Sequence, residues 1–501
     1  MDLSVLLPPT IILISALASL AIFFIGDDRD RLRTALYLGA EVLKLGLVLA
    51  MLWGIYLGES YEIRVPVLPG IDFLLRADAL SMLFLVLSAG LWLVTTLYSI
   101  GYLRDAPHRS RFYAFFGLSV SATAGIALAG NLFTLFIFYE ILTLATYPLV
   151  VHRETREAMR IGRMYLIYTL AGGVAVLAGA IALQIITGST EFVTGGALSG
   201  DEASPAVLIA IFAFLVLGFG VKNAFVPLHS WLPAAMIAPT PVSALLHGVA
   251  VVKAGAFGIV RVVYDIFGIE LSAALGVTLP LALLASFTIV YGSVKALFED
   301  ELKKRLAYST VSQVSYIVLG VSLVGFLSSM GGIVHLVHQG VMKVTLFFCA
   351  GVISETLGIK HISKMGGVGR RLPWTMTAFT VGSLGMMGLP PMAGFISKWY
   401  LGTGALEAGQ GWAVAVLVAS TLLNTAYFLP VIYVAFFGKP DKEKWEEKRP
   451  PSRFEADWLL LFPTLIVAAF VILVGILAGL WISPLGWAEF IAAQEWGYEL
   501  D

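Results

Sequence analysis

The chain has 501 residues, of which 58% are hydrophobic and only 13% charged, with a formal net charge of -1. A soluble domain of this length could not hide that much apolar surface, so the composition gives a polytopic membrane protein. One cysteine, Cys349, excludes a disulfide framework, a thiolate zinc site and an iron–sulfur cluster held by this chain alone.

A spanning helix needs about 20 mostly apolar residues. The first apolar run, 4–25, lacks a basic leader and reads as a retained first helix rather than a cleaved signal. Further spans follow at 33–57, 78–101, 112–130, 132–151, 161–187, 206–238, 241–266, 271–294, 306–326, 329–353, 373–400, 411–437 and 456–482. The expected fold is therefore all-α, with about fourteen transmembrane helices in a single domain over 1–501. The seventh and twelfth spans are over-long and broken by proline, so both read as discontinuous helices. The longest connection, "TGSTEFVTGGALSGDEASP", is polar and rich in Gly and Ser, and reads as an exposed loop.

Charge bias tests the count. Odd-to-even connections such as "DDRDRLR", "HRETREAMRIGR" and "GKPDKEKWEEKRPPSR" hold 24 Lys and Arg, whereas the opposite connections hold three, Arg64, Arg76 and Arg261. The positive-inside rule then puts the basic set in the cytoplasm and both termini outside a cell (inner) membrane. Five cations remain inside the spans: Lys44, Lys222, Lys253, Lys343 and Lys398. A cation at mid-bilayer costs at least ~2.5 kcal/mol. All five are lysine, which can lose its proton when desolvated, whereas arginine keeps it.

Lys222 lies in "GFGVKNAFVPLHSWLPAAM", after sixteen uncharged residues and before Pro227, His229 and Pro233. It could snorkel from a helix end, but the apolar run continues past the break. Broken helices at membrane depth line cavities or are buried in protein, and they free backbone groups to meet ions or water. His229 is either a satisfied core histidine or a relay group. Glu140, in "NLFTLFIFYEILTLATYPLV", would be kept ionised by a nearby lysine, in a pair that is structural or functional. His247 and Lys253 are six residues apart, about 9 Å along a helix, so waters would have to join them. In "GGIVHLVHQGVMKVTLFFCAG", His335 and His338 share a face and Lys343 follows. Histidine suits a relay because it titrates near neutrality. A metal pair lacks a third ligand nearby, so no metal is expected. "GSLGMMGLPPMAGFISKWYLG" repeats the pattern of a break (Pro390, Pro391, Gly394) with a lysine, Lys398. Two such segments in corresponding halves point to a pair of repeats, often related by inversion. Glu41 and Lys44 most simply neutralise one another or contact a neighbouring protein of the same complex.

"GFGVKNAFVPLHSWLPAAMIAPTPVSALLHGVAVVKAGAFGIVR", "ELKKRLAYSTVSQVSYIVLG" and "GLPPMAGFISKWY" resemble the antiporter-like subunits shared by Mrp-type cation/proton antiporters, respiratory complex I and membrane-bound hydrogenases. The resemblance covers roughly 70–440 and is strongest to the D-type member of the Mrp group. It implies two inverted five-helix repeats, about 112–266 and 271–437, around a hydrated polar axis. By position it implies proton-translocation roles for Glu140, Lys222, Lys253, His338, Lys343 and Lys398. Gln313, in "STVSQVSY", stands where many relatives carry histidine; it cannot carry a proton.

The reading is a proton-translocating subunit of a multi-subunit membrane complex, with a complex I-like or hydrogenase subunit as the alternative. His229, His247 and His335 are further relay candidates. The chain would have no catalytic centre or cofactor of its own, although its complex could be redox-driven. Expected partners are other hydrophobic subunits, lipid, H+ and, as a second candidate cargo, Na+; no nucleic acid is expected. A quinone-binding redox protein is disfavoured by the lack of any flavin, haem or iron–sulfur motif. A free-standing secondary transporter would be separated by co-purification.

Overall fold

The computed structural model describes residues 3–440, 445–448 and 454–499. Helices α1 (Leu3–Phe23) and α2 (Asp30–Tyr56) lead into an antiparallel hairpin, β1 (Tyr61–Leu68) and β2 (Ile71–Ala77). Four long helices follow: α3 (Ala79–Tyr102), α4 (Arg109–Ala127), α5 (Leu132–Val150) and α6 (Arg156–Thr187). Helix α7 (Pro205–Lys222) stops at its lysine. The chain then turns through two short helices, α8 (Trp231–Ala234) and α9 (Thr240–Ala244). A π turn, Leu245–Val249, joins α9 to α10 (Val251–Arg261), and a second, Val262–Ile266, leads to α11 (Ile269–Ala274). Next come α12 (Thr278–Phe298), α13 (Leu302–Ser322), α14 (Phe326–Leu357) and the short α15 (Val368–Arg371). The discontinuous pair α16 (Pro373–Met387) and α17 (Ala393–Glu407) precedes α18 (Trp412–Phe437), α19 (Trp458–Ile476) and α20 (Pro484–Trp496).

Eleven helical stretches among the described residues are long and apolar enough to cross a membrane, and the chain is a multi-pass membrane protein. Three expected spans fall outside those eleven for physical reasons. Helices α4 and α13, of 19 and 21 residues, are diluted by Ser, Thr and charged residues. The 373–400 span is two helices of 15 residues each, and neither is long enough alone. The apolar windows of Thr240–Ile266 and α14 are wholly buried, which puts these two stretches at the centre; those of α1 and α2 are only about a third buried.

The hairpin was not expected. It alternates about a Pro69–Gly70 turn in which Gly70 takes φ +76°, a conformation that suits glycine. Arg64 Nη1 meets Glu191 Oε1 at 2.6 Å and Asp72 Oδ2 at 3.0 Å, and Arg76 Nε meets Glu62 Oε2 at 2.7 Å. These two sparse cations thus pin the hairpin to the long loop before α7. On the opposite face, isolated bridge pairing of Glu301 with His361 joins two basic connections. Lys442, Lys444, Arg449 and Arg453 of the last basic connection lie outside the described residues.

Candidate functional site

The site is built where helices stop. Lys222 is the last residue of α7 and is fully buried. Its ammonium donates to the Tyr139 carbonyl and lies 3.3 Å from the centroid of the Tyr139 ring, a short cation–π contact. The Tyr139 hydroxyl donates to Gly218 O at 3.1 Å, so this one side chain clamps α5 onto the end of α7. Sequence reasoning singled out Glu140 and passed over its neighbour; an aromatic in an apolar run gives no signal.

Glu140 and Lys222 do not form an ion pair within 4.0 Å. They flank a pair of glycines on α6 instead. A Cβ on Gly173 would come 2.0 Å from Glu140 Oε1, and one on Gly172 would come 2.9 Å from both Gly218 O and Val221 Cβ. The missing side chains let the carboxylate lie against α6 on one side and α7 close in on the other.

Past the break, Gly255 of α10 lies so close to the end of α7 that a Cβ would meet Asn223 N at 2.3 Å. Lys253, fully buried, donates to Leu336 O of α14 at 2.7 Å. His247 sits in the first π turn, its ring 4.7 Å from Phe347, with both ring nitrogens buried and unpartnered. This is how α9, the wide turn and α10 bring His247 and Lys253 against α14, an arrangement their spacing on a regular helix did not give. His338 likewise has two buried, unpartnered nitrogens. His335 shares Nδ1 with Ser397 Oγ at 2.8 Å and stacks on Tyr316 at 5.1 Å. Lys343, one and a half turns further, donates to Leu306 O at 3.2 Å and to Ser309 Oγ. Gln313 is fully buried on α13.

Lys398 reaches back across the second break from α17. It donates to Met386 O and Met387 O at 3.0 Å each, the open carbonyls of α16, and to Thr421 Oγ1 at 3.1 Å. Its ammonium is 5.7 Å from the Tyr316 ring centroid, and that ring connects it to His335. Asn424 Nδ2 also donates to Met386 O, at 3.0 Å. The two break lysines therefore differ: Lys222 precedes its break and Lys398 follows its own.

His229 lies apart from this group, beyond the first break and edge-on to Tyr291 at 5.1 Å. Glu41 and Lys44 pair at 2.8 Å, each side chain 1% exposed, so they neutralise one another as expected. A cavity of about 720 Å³ opens on the basic-loop side. It reaches from Arg153, Arg160 and Lys360 down to Met236 and Thr240, just past the first break. Lys303 lines it and donates to Met236 O and Ala238 O at 2.8 and 2.7 Å.

Fold and site together define a multi-pass membrane protein built around a buried row of lysines and histidines that runs between two interrupted helices. The family described as NADH:quinone oxidoreductase/Mrp antiporter, TM, matches residues 129–424, and the chain belongs to it. The N-terminal family described as NADH-Ubiquinone oxidoreductase (complex I), chain 5 N-terminus, matches 69–113. The chain is 36% identical over 432 residues to NADH-quinone oxidoreductase subunit N of Desulforudis audaxviator, covering 84% of this chain and 85% of that one. It is 32% identical over 479 residues to an Na(+)/H(+) antiporter subunit of Alkalihalophilus pseudofirmus, covering 88% of this chain but 58% of that one. Hydrogenase-4 component B of Escherichia coli is 29% identical over 437 residues, and the match covers 82% of this chain and 63% of that one. Among solved structures, the Mrp complex from Dietzia sp. DQ12-45-1b superposes with a TM-score of 0.86 at 22% identity, over 99% of this chain and 98% of the matched one. The membrane-bound sulfane sulfur reductase, an archaeal respiratory membrane complex, also gives 0.86, at 24% identity over the same shares.

Proposed function

We propose that the chain is the proton-translocating, antiporter-like subunit of a multi-subunit membrane complex. The supporting observation is the row Lys222, Lys253, Lys343 and Lys398. Each ammonium faces carbonyls and hydroxyls with no carboxylate within 4.0 Å among the described residues, and the unpartnered nitrogens of His247 and His338 lie in the same buried region. Buried polar groups are rarely left unsatisfied, so ordered water would complete this row. Protons would load from the basic-face cavity beside the first break, pass Lys222 and Lys253 to His338 and Lys343, and reach Lys398, with His229, His247 and His335 as relay groups. Glu140 sets the electrostatic bias on Lys222, and its separation from the ammonium fits a pair that opens and closes.

The same reading takes α4, α13 and the α16–α17 pair as spans beside the eleven apolar stretches, fourteen in all. It takes 112–266 and 271–437 as inverted repeats, with both termini on the outer face. The host complex is proposed as an Mrp-type Na+/H+ antiporter in which this chain takes the D-type role. A second reading, subunit N of a complex I-like quinone oxidoreductase, is favoured by the 36% identity that spans 85% of that relative. Co-purification of the intact complex decides between them by the presence or absence of redox subunits. The translocation reading itself is tested by Lys222→Ala and Glu140→Ala. Each should abolish pH-gradient activity in vesicles while the complex still assembles, and retained activity in either would refute it.

A further inference from the structure

Arg261 closes α10 at the face opposite the basic loops. Counted by sequence as a connection residue, it is in fact 1% exposed, and the lysine row does not use it. Its Nη2 lies 2.8 Å from Asp78 Oδ2, its Nη1 3.0 Å from Asp265 Oδ1, and Nη2 also donates to Ser81 Oγ at 2.9 Å. The rings of Phe192 and Phe257 cover the guanidinium at 5.1 and 5.0 Å. Asp265 is 3% exposed, and its Oδ2 has no partner. Glu495 of α20 completes the cluster: it interacts electrostatically with Arg261, Asp265 and Asp78, and its Oε2 accepts from Gly195 N at 3.0 Å.

Three carboxyls thus share one guanidinium. Fully ionised, the cluster would carry two uncompensated negative charges in a largely buried site. Like charges this close favour holding a proton between them. The unpartnered Asp265 oxygen fits that state, because a neutral acid supplies a donor that a carboxylate lacks. A guanidinium at ion-pair distance in the middle of the cluster leaves no room for a metal cation to take its place. Burial pushes the Glu495 carboxyl up to about 7, against the Gly195 hydrogen bond and Arg261, which pull it down. The groups facing Asp265 are Arg261 and Tyr264 from its own stretch, Asp78 at the start of α3 and Glu495 of α20. Arg64, Arg76 and Glu191 lie beyond Phe192, whose carbonyl Arg76 Nη1 meets at 3.2 Å.

The cluster faces both ways. Inward, Tyr264 adjoins Asp265 and interacts with Ser329 of α14, which also takes the Trp496 indole N–H at 3.3 Å. Ser329 is six residues before His335, about 9 Å along α14. Outward, Asp78 is 35% exposed and Glu495 is half-buried. We propose that Asp265 and Glu495, positioned by Arg261 and Asp78, hold one shared proton and form the group that releases protons at the face opposite the basic loops. The inference rests on the translocation reading above.

The test uses the intact complex. Infrared difference spectra across a pH titration should show a protonated carboxyl that titrates near neutrality and is lost in both Asp265→Asn and Glu495→Gln. In vesicles, Glu495→Gln should lose the dependence of transport rate on pH at that face. Glu495→Gln leaves the Arg261–Asp265 pair in place, so it carries the test even if Asp265→Asn fails to assemble. A titrating band that persists in Glu495→Gln, or an unchanged pH profile, overturns the proposal. Lys222→Ala run in parallel keeps the two readings apart. Transport in that variant refutes translocation along the row, whereas its loss beside a normal Glu495→Gln profile refutes the release group alone.

Discussion

Gly172 and Gly173 are adjacent on α6, yet alanine at each should fail differently. At Gly173 the new methyl would sit 2.0 Å from Glu140 Oε1, the end of a flexible side chain that can retreat. At Gly172 it would meet the Gly218 carbonyl and Val221 Cβ at 2.9 Å, so a helix would have to move. Gly173→Ala should therefore keep assembly, and alanine in place of a helical glycine can add up to about 1 kcal/mol of local stability. Its effect should fall on the Glu140–Lys222 coupling. For unit charges at an effective dielectric of ~20, moving from ~5 to ~6.5 Å weakens the attraction by about 0.8 kcal/mol. That is roughly a fourfold change in the equilibrium the pair controls. The assay is initial proton-transport rate in vesicles, with thermal stability of the purified complex alongside. Gly173→Ala should transport several-fold more slowly at unchanged stability, and pairing it with the shorter Glu140→Asp should restore part of the rate. Gly172→Ala should instead lower stability and yield. Wild-type transport in Gly173→Ala, or the same loss of assembly in both, would refute the role given to Glu140.

Lys398→Arg keeps a cation on the Met386 and Met387 carbonyls but cannot give up its proton, so it should preserve stability and stop transport; Lys398→Ala should lose both, and normal transport in the arginine variant would exclude Lys398 as a carrier. Gly394→Ala would put a methyl 1.9 Å from Gly385 O, so the two halves of the second broken helix should separate and complex yield should fall, as gel filtration would show. His152, 8% exposed after α5, is pushed down to about 4 by burial and by Arg111. The folded state refuses a proton that the unfolded chain accepts near 6.5, so its contribution is complete above ~6.5 and is lost as pH falls toward ~4. Partial solvent access leaves roughly 1–2 kcal/mol at stake, and His152→Gln should flatten the melting temperature against pH in that window.

The lysines were legible because an ammonium in an apolar run stands out against its cost. The breaks at Pro227 and Pro390–Pro391 were legible because proline cannot continue a helix. Other features left no local signal. The π turn at Leu245–Val249 is fixed by tertiary packing: a Cβ on Gly248 would lie 2.6 Å from Val344 Cγ2 of α14. Tyr139 looks like any core aromatic until its carbonyl meets Lys222. The hairpin at 61–77 did carry a signal, alternation about Pro69–Gly70, but a search for runs of spanning length passes over seven-residue strands. Arg261 was misplaced because charge counting treats a cation near a span's end as solvated, whereas here Asp78 and Asp265 hold it inside.

The two broken helices approach the centre from opposite sides. Helix α7 starts from the long loop that carries Gly195, beside Glu495, and runs inward to Lys222. Helix α16 starts at the basic face, its first amides at Trp374 and Thr375 capped by Glu455 at 2.7 and 2.6 Å, and runs inward to Met387. Each therefore points its carbonyl end at the interior, where a helix carries about half a negative charge. A lysine stands at each end, before the break in one case and after it in the other. Opposed half-helices of this kind support an inverted pair of repeats better than sequence likeness between the halves does. They also give a physical reason for cations at these two depths. Open carbonyl ends partly offset the cost of an ammonium in the membrane while leaving it without a fixed carboxylate partner. A lysine held that way can stay in place through both of its protonation states, and a proton-carrying row requires that of its end members.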